Sequence, residues 1–183
     1  MALLHSEKKT LGSLAPDFSL KGVDGKSYSL KDFEKSKVLV VMFICNHCPY
    51  VQAIEDRIIA LQRHFDDQSV RLVGICSNDS TNYPDDSFEN LKKRWETKKY
   101  SFPYLVDETQ QTAKDYGAVC TPDLYVFDQN RQLAYHGRLD DNWQDPKKVT
   151  KEDLKEAVQF LLQGKKPASD QTSSMGCSIK WKS

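Results

Sequence analysis

Cys45-Asn46-His47-Cys48 is the stretch of this chain whose residue types and spacing most directly suggest chemistry. Two cysteines three apart on the first turn of a helix approach closely enough for a disulfide. The first of them lies beside unpaired backbone N–H groups and the positive end of the helix dipole, which favour a thiolate. Cys45 is therefore expected to be acidic for a thiol. His47 adds an imidazole between the sulfurs that stabilises the thiolate further once protonated, and each pKa unit of lowering is worth about 1.4 kcal/mol. A stabilised thiolate favours the reduced form and makes the disulfide more oxidising. Pro49 fits the first helical turn, where its missing N–H costs little. The other chemistry of this spacing is half of a zinc site. The sequence has no second CxxC and no HxxxH, so redox use is the reading adopted and no metal is assigned. A closed site from Cys45, His47, Cys48 and the distant Cys120 is the metal-holding alternative.

The remaining candidates carry weaker signals. Cys76 ends an apolar strand and reads as a packing residue. Cys177, in Met175-Gly176-Cys177-Ser178-Ile179-Lys180-Trp181, is either an auxiliary redox cysteine or an anchor for the tail, and the anchor is favoured. His5, His64 and His136 have no partner pattern and receive no role. Lys92-Lys93-Arg94 and Lys98-Lys99 alternate with Glu89 and Glu96 at helical spacing, which describes a solvated ion-pairing face. Asp79, Asp85 and Asp86 lack the ligand spacing and turn glycine of an EF-hand, and read as a cap and a loop.

The elements that must position the motif follow from hydrophobic periodicity. Ala15 to Leu20 and Ser27 to Leu30 flank Asp24-Gly25 and form a hairpin. Val38 to Ile44 is apolar throughout, as expected of a strand covered on both faces. Val51, Ile54, Ile58, Leu61 and Phe65 share one helical face, and Val70 to Cys76 is a second buried strand. The strand–helix–strand unit should be right-handed with parallel strands. A helix carrying Phe88, Leu91 and Trp95 follows, capped by Asp86 or Ser87. Next come a strand at Tyr104 to Val106, a helix from Thr109 to Tyr116 stopped by Gly117, and an antiparallel pair at Leu124 to Phe127 and Gln132 to His136. Thr150-Lys151-Glu152-Asp153 resembles a capping box before a helix with Leu154, Val158 and Leu161. The order is β-hairpin, βαβ, α, β, α, ββ, α. One domain is expected over 14–164, between an amino-terminal extension, 1–13, and a tail, 165–183. The tail's polar stretch from Lys165 to Ser174 is expected to be flexible, while Met175 to Trp181 could dock.

Composition narrows the function classes. The chain has 183 residues with 26 Lys and Arg against 26 Asp and Glu, so it lacks the charge excess that draws proteins to nucleic acids or membrane surfaces. Neither partner is expected. No apolar run approaches the roughly 18 residues needed to span a bilayer. Five cysteines are an odd number, unlike a stapled secreted scaffold. The first residues lack the pattern of a signal peptide, and a cytoplasmic location is expected.

With these residues in view, the chain resembles the thioredoxin-like superfamily, and within it the redoxin branch of thiol-disulfide oxidoreductases and alkyl hydroperoxide reductase/thiol-specific antioxidant proteins. The resemblance covers about Leu14 to Leu162. It runs through Ala15-Pro16-Asp17-Phe18, Val38 to Cys48, the insert Phe102 to Glu108, and Tyr116-Gly117-Ala118-Val119-Cys120-Thr121-Pro122. It implies an α/β fold, a central mixed β-sheet flanked by helices with an amino-terminal hairpin and a central insertion. It also implies that Pro122 is cis and, with Thr121 and Asn46, meets an extended substrate. Cys120, beside that loop, faces the motif and is a second auxiliary redox candidate. The implied mechanism has Cys45 attack a disulfide and Cys48 resolve it, with His47 assisting and without a cofactor. Its partners would be protein or small-molecule disulfides and thiols, and a cellular thiol reductant. A thiol peroxidase is the alternative within the branch. However, peroxiredoxins of this kind carry a threonine where Cys45 stands and an arginine near the place of Thr121-Pro122. The apolar strand before the motif also lacks the buried acid of thioredoxins, which leaves His47, Asp79 or water to take the Cys48 proton.

Overall fold

The computed structural model describes residues 3–65 and 69–182. In chain order these form β1 (Leu3–His5), β2 (Ser19–Gly22), β3 (Ser27–Ser29), β4 (Val38–Phe43), α1 (Pro49–His64), β5 (Val70–Cys76), α2 (Phe88–Lys98), β6 (Tyr104–Val106), α3 (Gln111–Tyr116), β7 (Cys120–Thr121), β8 (Asp123–Phe127), β9 (Leu133–Gly137), α4 (Asp153–Leu162) and β10 (Met175–Ser178). The strands of the main sheet lie in the order β3-β2-β6-β5-β4-β8-β9.

β4 is central because every one of its residues is apolar and buried. Its alternating side chains divide the core. Val38, Val40 and Met42 face the layer of α1, α2 and α4, while Leu39, Val41 and Phe43 face Ala113 and Tyr116 of α3. β4 runs parallel to β5 and antiparallel to β8, so the mixed sheet implied by the resemblance is present. The helical face read from spacing is the buried face of α1, with Val51, Ile54, Ile58 and Leu61 all in the core. Gly117 stops α3 in the left-handed conformation, and Gly25, at φ 86°, turns the hairpin.

Two features depart from the sequence reading. The hairpin strands are shorter than expected, beginning at Ser19 and ending at Ser29. α4 is preceded by Glu152 as its N-cap rather than by Thr150, whose N–H instead donates to Asp141 Oδ1 at 2.9 Å. The end segments pair in a second sheet in the order β1-β10-β7, so the part of the tail read as able to dock forms a strand. The carboxyl terminus is fastened further by Asp79 N–H to the Lys180 carbonyl at 2.8 Å and by Lys180 N–H to Asn78 Oδ1 at 2.8 Å. Met1, Ala2 and Ser183 lie outside the described residues. Among the described residues no helix is long and apolar enough to cross a membrane.

A buried ion pair fixes α1 against α2. Glu55, 2% exposed, accepts from Arg94 Nε at 2.6 Å and Nη2 at 2.8 Å, and also from the Tyr100 hydroxyl. Burial opposes its ionisation, but the hydrogen bonds from Arg94 and Tyr100 outweigh it and hold the carboxyl below the usual range. Removing one partner of such a pair leaves the other desolvated. Glu55→Ala is expected to cost about 3 kcal/mol in urea unfolding, the low end for a buried pair because Arg94 reaches water. A loss below about 1 kcal/mol would show that the pair does not hold the two helices.

Candidate active site

The chain leaves β4 at Phe43 and enters α1 at Pro49, so the cysteine motif occupies the strand-to-helix turn. Cys48 is the N-cap residue, with φ −78° and ψ 118°. Across from it, β7 delivers Thr121 and the cis Thr121–Pro122 bond. Cys45 Sγ lies 3.3 Å from Thr121 Oγ1, and Cys48 Sγ lies 3.0 Å from the Thr121 carbonyl oxygen. The structure thus brings together Cys45, Cys48, Thr121 and Pro122. Cys45 and Cys48 are only 2% and 0% exposed.

The two sulfurs are neighbours in the turn, and their titrations are linked. Cys48 is drawn well below an ordinary thiol, chiefly by the neighbouring Cys45 thiol, while burial opposes this. Cys45 is pushed up, first by the neighbouring Cys48 and then by burial. The sequence reading expected the acidic thiol at Cys45; the electrostatics of the buried pair draw the charge toward Cys48 instead. Thr121 supports the other position of the remaining proton. Its hydroxyl can donate to a Cys45 thiolate while its carbonyl accepts from a Cys48 thiol, at the distances observed.

His47 is positioned by a residue that the sequence reading placed elsewhere. His47 Nδ1 lies 2.6 Å from Asp86 Oδ2, and the Tyr83 ring stacks on the imidazole at 5.4 Å. Asp86 also accepts from Asn46 N–H at 2.7 Å and Asn78 Nδ2 at 2.8 Å. The hydrogen bond to Asp86 raises the His47 pKa against the effect of burial. Asp86 is held below the usual carboxylate range because hydrogen bonds from His47 and Asn78 outweigh its burial. Ser87 alone caps α2, so Asp86 is free to turn inward. Asp79, a candidate acceptor for the Cys48 proton, instead accepts within its own turn from Thr81 N–H at 3.0 Å. Asn46, expected to meet substrate, is buried and donates to the Asp85 and Asn90 carbonyls, both at 3.0 Å. It ties the motif to α2.

The other candidates separate. Cys76 is fully buried and its thiol is pushed up by desolvation. Cys120 turns its sulfur toward the Pro122 carbonyl at 3.8 Å, and burial raises its pKa as well. Cys177 lies against Cys48. A Cys45 sulfur, a His47 nitrogen and an Asp86 oxygen lie within 4.8 Å of one another, so a metal-holding set would use Asp86 in place of Cys48 and Cys120. His136, given no role from sequence, has Nε2 2.7 Å from Asp123 Oδ1, and the Tyr125 hydroxyl donates to the same carboxylate at 2.9 Å. All three are buried.

A shared proton has a spectroscopic consequence. The reduced protein should absorb near 240 nm as one thiolate at neutral pH, and should lose that band only as the pH falls well below the ordinary thiol range, about 8.5. Cys45→Ser and Cys48→Ser should each move the midpoint upward. A wild-type midpoint at about pH 8.5 would contradict the coupling.

Comparison with known proteins places this geometry. Residues 11–136 match the AhpC/TSA family. A chloroplastic peroxiredoxin Q from Suaeda salsa is 28% identical over 159 residues, covering 81% of this chain and 67% of that one. The thiol-disulfide oxidoreductase ResA of Bacillus thuringiensis subsp. konkukian is 24% identical over 127 residues, 69% of each chain. The crystal structure of an uncharacterized conserved protein from Geobacillus kaustophilus is similar at a TM-score of 0.95 and 43% identity, over 100% of this chain and 97% of that one. The chain has a thioredoxin-like fold and belongs to the AhpC/TSA family of redoxins.

Proposed function

We propose that this protein is a thiol-disulfide oxidoreductase that cycles between a Cys45/Cys48 dithiol and a Cys45–Cys48 disulfide. The observation that carries this reading is the contact of both sulfurs with the single peptide Thr121–Pro122. Membership in a redoxin family and the ResA relative support it.

The reaction begins when the shared proton lies on Cys48 and the charge on Cys45. The Cys45 thiolate attacks a substrate disulfide, forms a mixed disulfide and displaces one substrate thiolate, which takes the proton from Cys48. The Cys48 thiolate, at the N-cap of α1, then attacks the Cys45 sulfur and releases the second substrate thiolate. Two electrons have passed to the substrate and the protein holds the disulfide, which a cellular thiol reductant reverses. His47, fixed by Asp86, assists proton movement at the turn. The near-complete burial of both sulfurs means that the turn must open locally before a substrate reaches Cys45. A groove of about 200 Å³ beside Pro122, lined by Tyr50, Trp143, Arg138 and Met175, gives an approaching chain an apolar bed. The reading places the protein in the cytoplasm, where small thiols keep the pair reduced.

Cys48→Ser is expected to trap a covalent mixed disulfide through Cys45 when the reduced protein meets a disulfide-bonded peptide, and Cys45→Ser is expected to trap none, as read by mass spectrometry. Trapping by Cys45→Ser alone would reverse the assigned roles. A parallel assay with hydrogen peroxide separates the peroxidase alternative, for which peroxide would be consumed faster than the peptide disulfide.

A further inference from the structure

Cys177 does not sit on a loose tail. Its strand, β10, lies antiparallel against β7 with Cys177 opposite Thr121, the residue that both motif sulfurs already touch. Ile179 N–H donates to the Val119 carbonyl at 2.9 Å, and the alternation of an antiparallel ladder makes Cys177 and Thr121 the next hydrogen-bonded pair. The approach is closer than a side chain at the preceding position would allow: a Cβ on Gly176 would stand 1.9 Å from the Thr121 carbonyl oxygen. On its other edge β10 pairs with β1, Leu3 opposite Cys177, and just ahead of it Ser174 Oγ donates to the Gly137 carbonyl at 2.6 Å. Cys177 neighbours Cys48, whose sulfur lies 3.0 Å from the carbonyl oxygen of the same Thr121 that Cys177 faces. Cys48 therefore has both Cys45 and Cys177 as neighbours, and is the sulfur common to two potential bonds.

We propose that Cys177 is a third redox cysteine, which attacks the Cys48 sulfur of the Cys45–Cys48 disulfide and moves the bond to Cys48–Cys177. The step rests on the Cys45/Cys48 reading above. The Cys177–Cys48 bond forms as the Cys48–Cys45 bond breaks, so Cys177 is oxidised and Cys45 reduced, with no outside oxidant. The proton that leaves Cys177 ends on the released Cys45 sulfur. The electrostatics turn the step on at the right stage. In the dithiol state burial and the Cys48 charge push Cys177 up to about 12 and keep it protonated. Once Cys48 is tied into a disulfide that charge is gone, and the opposition to a Cys177 thiolate weakens. The result is a protein that remains oxidised while Cys45 is again a thiol.

The test is oxidation of full-length Cys45→Ser with diamide, which takes two electrons from a pair of thiols, followed by peptide mapping without reduction. Cys48 joined to Cys177 in most of the oxidised molecules is the expected result. Cys48 found unreacted, or joined to anything other than Cys177, overturns the proposal. Wild type and Cys177→Ser are mapped in parallel. Wild type should contain both Cys45–Cys48 and Cys48–Cys177, and Cys177→Ser only the first. A wild-type map without any Cys45–Cys48 bond counts against the oxidoreductase reading itself. A normal Cys45–Cys48 bond together with no Cys48–Cys177 bond in Cys45→Ser counts against the third cysteine alone.

Discussion

Phe43 pairs with Asp123 across the antiparallel ladder of β4 and β8, and that register sets how the cysteine turn meets Thr121. Cys45 follows Phe43 by two residues, and Thr121 precedes Asp123 by two, so the end of one strand and the start of the other bring the sulfurs against one peptide. A slip of one residue would turn every side chain of β4 to the opposite face and carry the apolar set of one core into the other. The register is strongly specified because both faces of β4 are buried. The precision of the site thus comes from the hydrophobic core beneath it.

Burial then determines the chemistry. An isolated thiolate in a dry site would be costly, and Cys76 and Cys120 show the ordinary consequence: their thiols are pushed up and stay neutral. Cys48 escapes this because it stands at the N-cap of α1 with the Cys45 thiol beside it. His47 and Asp86 form a hydrogen-bonded pair beside the turn, with the Asp86 carboxyl held below the usual range. Thr121 lets the proton occupy either sulfur, which allows a pair with a resting charge on Cys48 to attack through Cys45.

The sequence displayed the core clearly and the polar partners poorly. Val38 to Ile44, the face of α1 and the motif between them are local patterns, written in consecutive or helically spaced residues. Pro122 was identified through family resemblance, as one X-Pro bond among several carries no local mark of its isomer. Asp86 was read as a cap because Asp before a helix usually is one; its bond to His47 spans 39 residues and leaves no periodic trace. The same holds for Asp123 and His136, which find each other only once β8 and β9 pair. The terminal strands were hidden for a related reason. β1 and β10 have three and four residues, and their pairing joins opposite ends of the chain. Without the sheet they complete, Cys177 reads as an anchor, whereas its register opposite Thr121 puts it at the motif.

The most direct measurement of the central claim is a redox titration of the wild-type protein in glutathione buffers, with the remaining thiols alkylated and counted by mass spectrometry. A reversible two-electron step is expected, in which two thiols disappear together, Cys48 is one of the pair in every oxidised molecule, and a Cys45–Cys48 bond is among the products. Retention of an alkylatable Cys48 in the most oxidising buffer, or loss of single thiols to glutathione adducts without any internal bond, would contradict it.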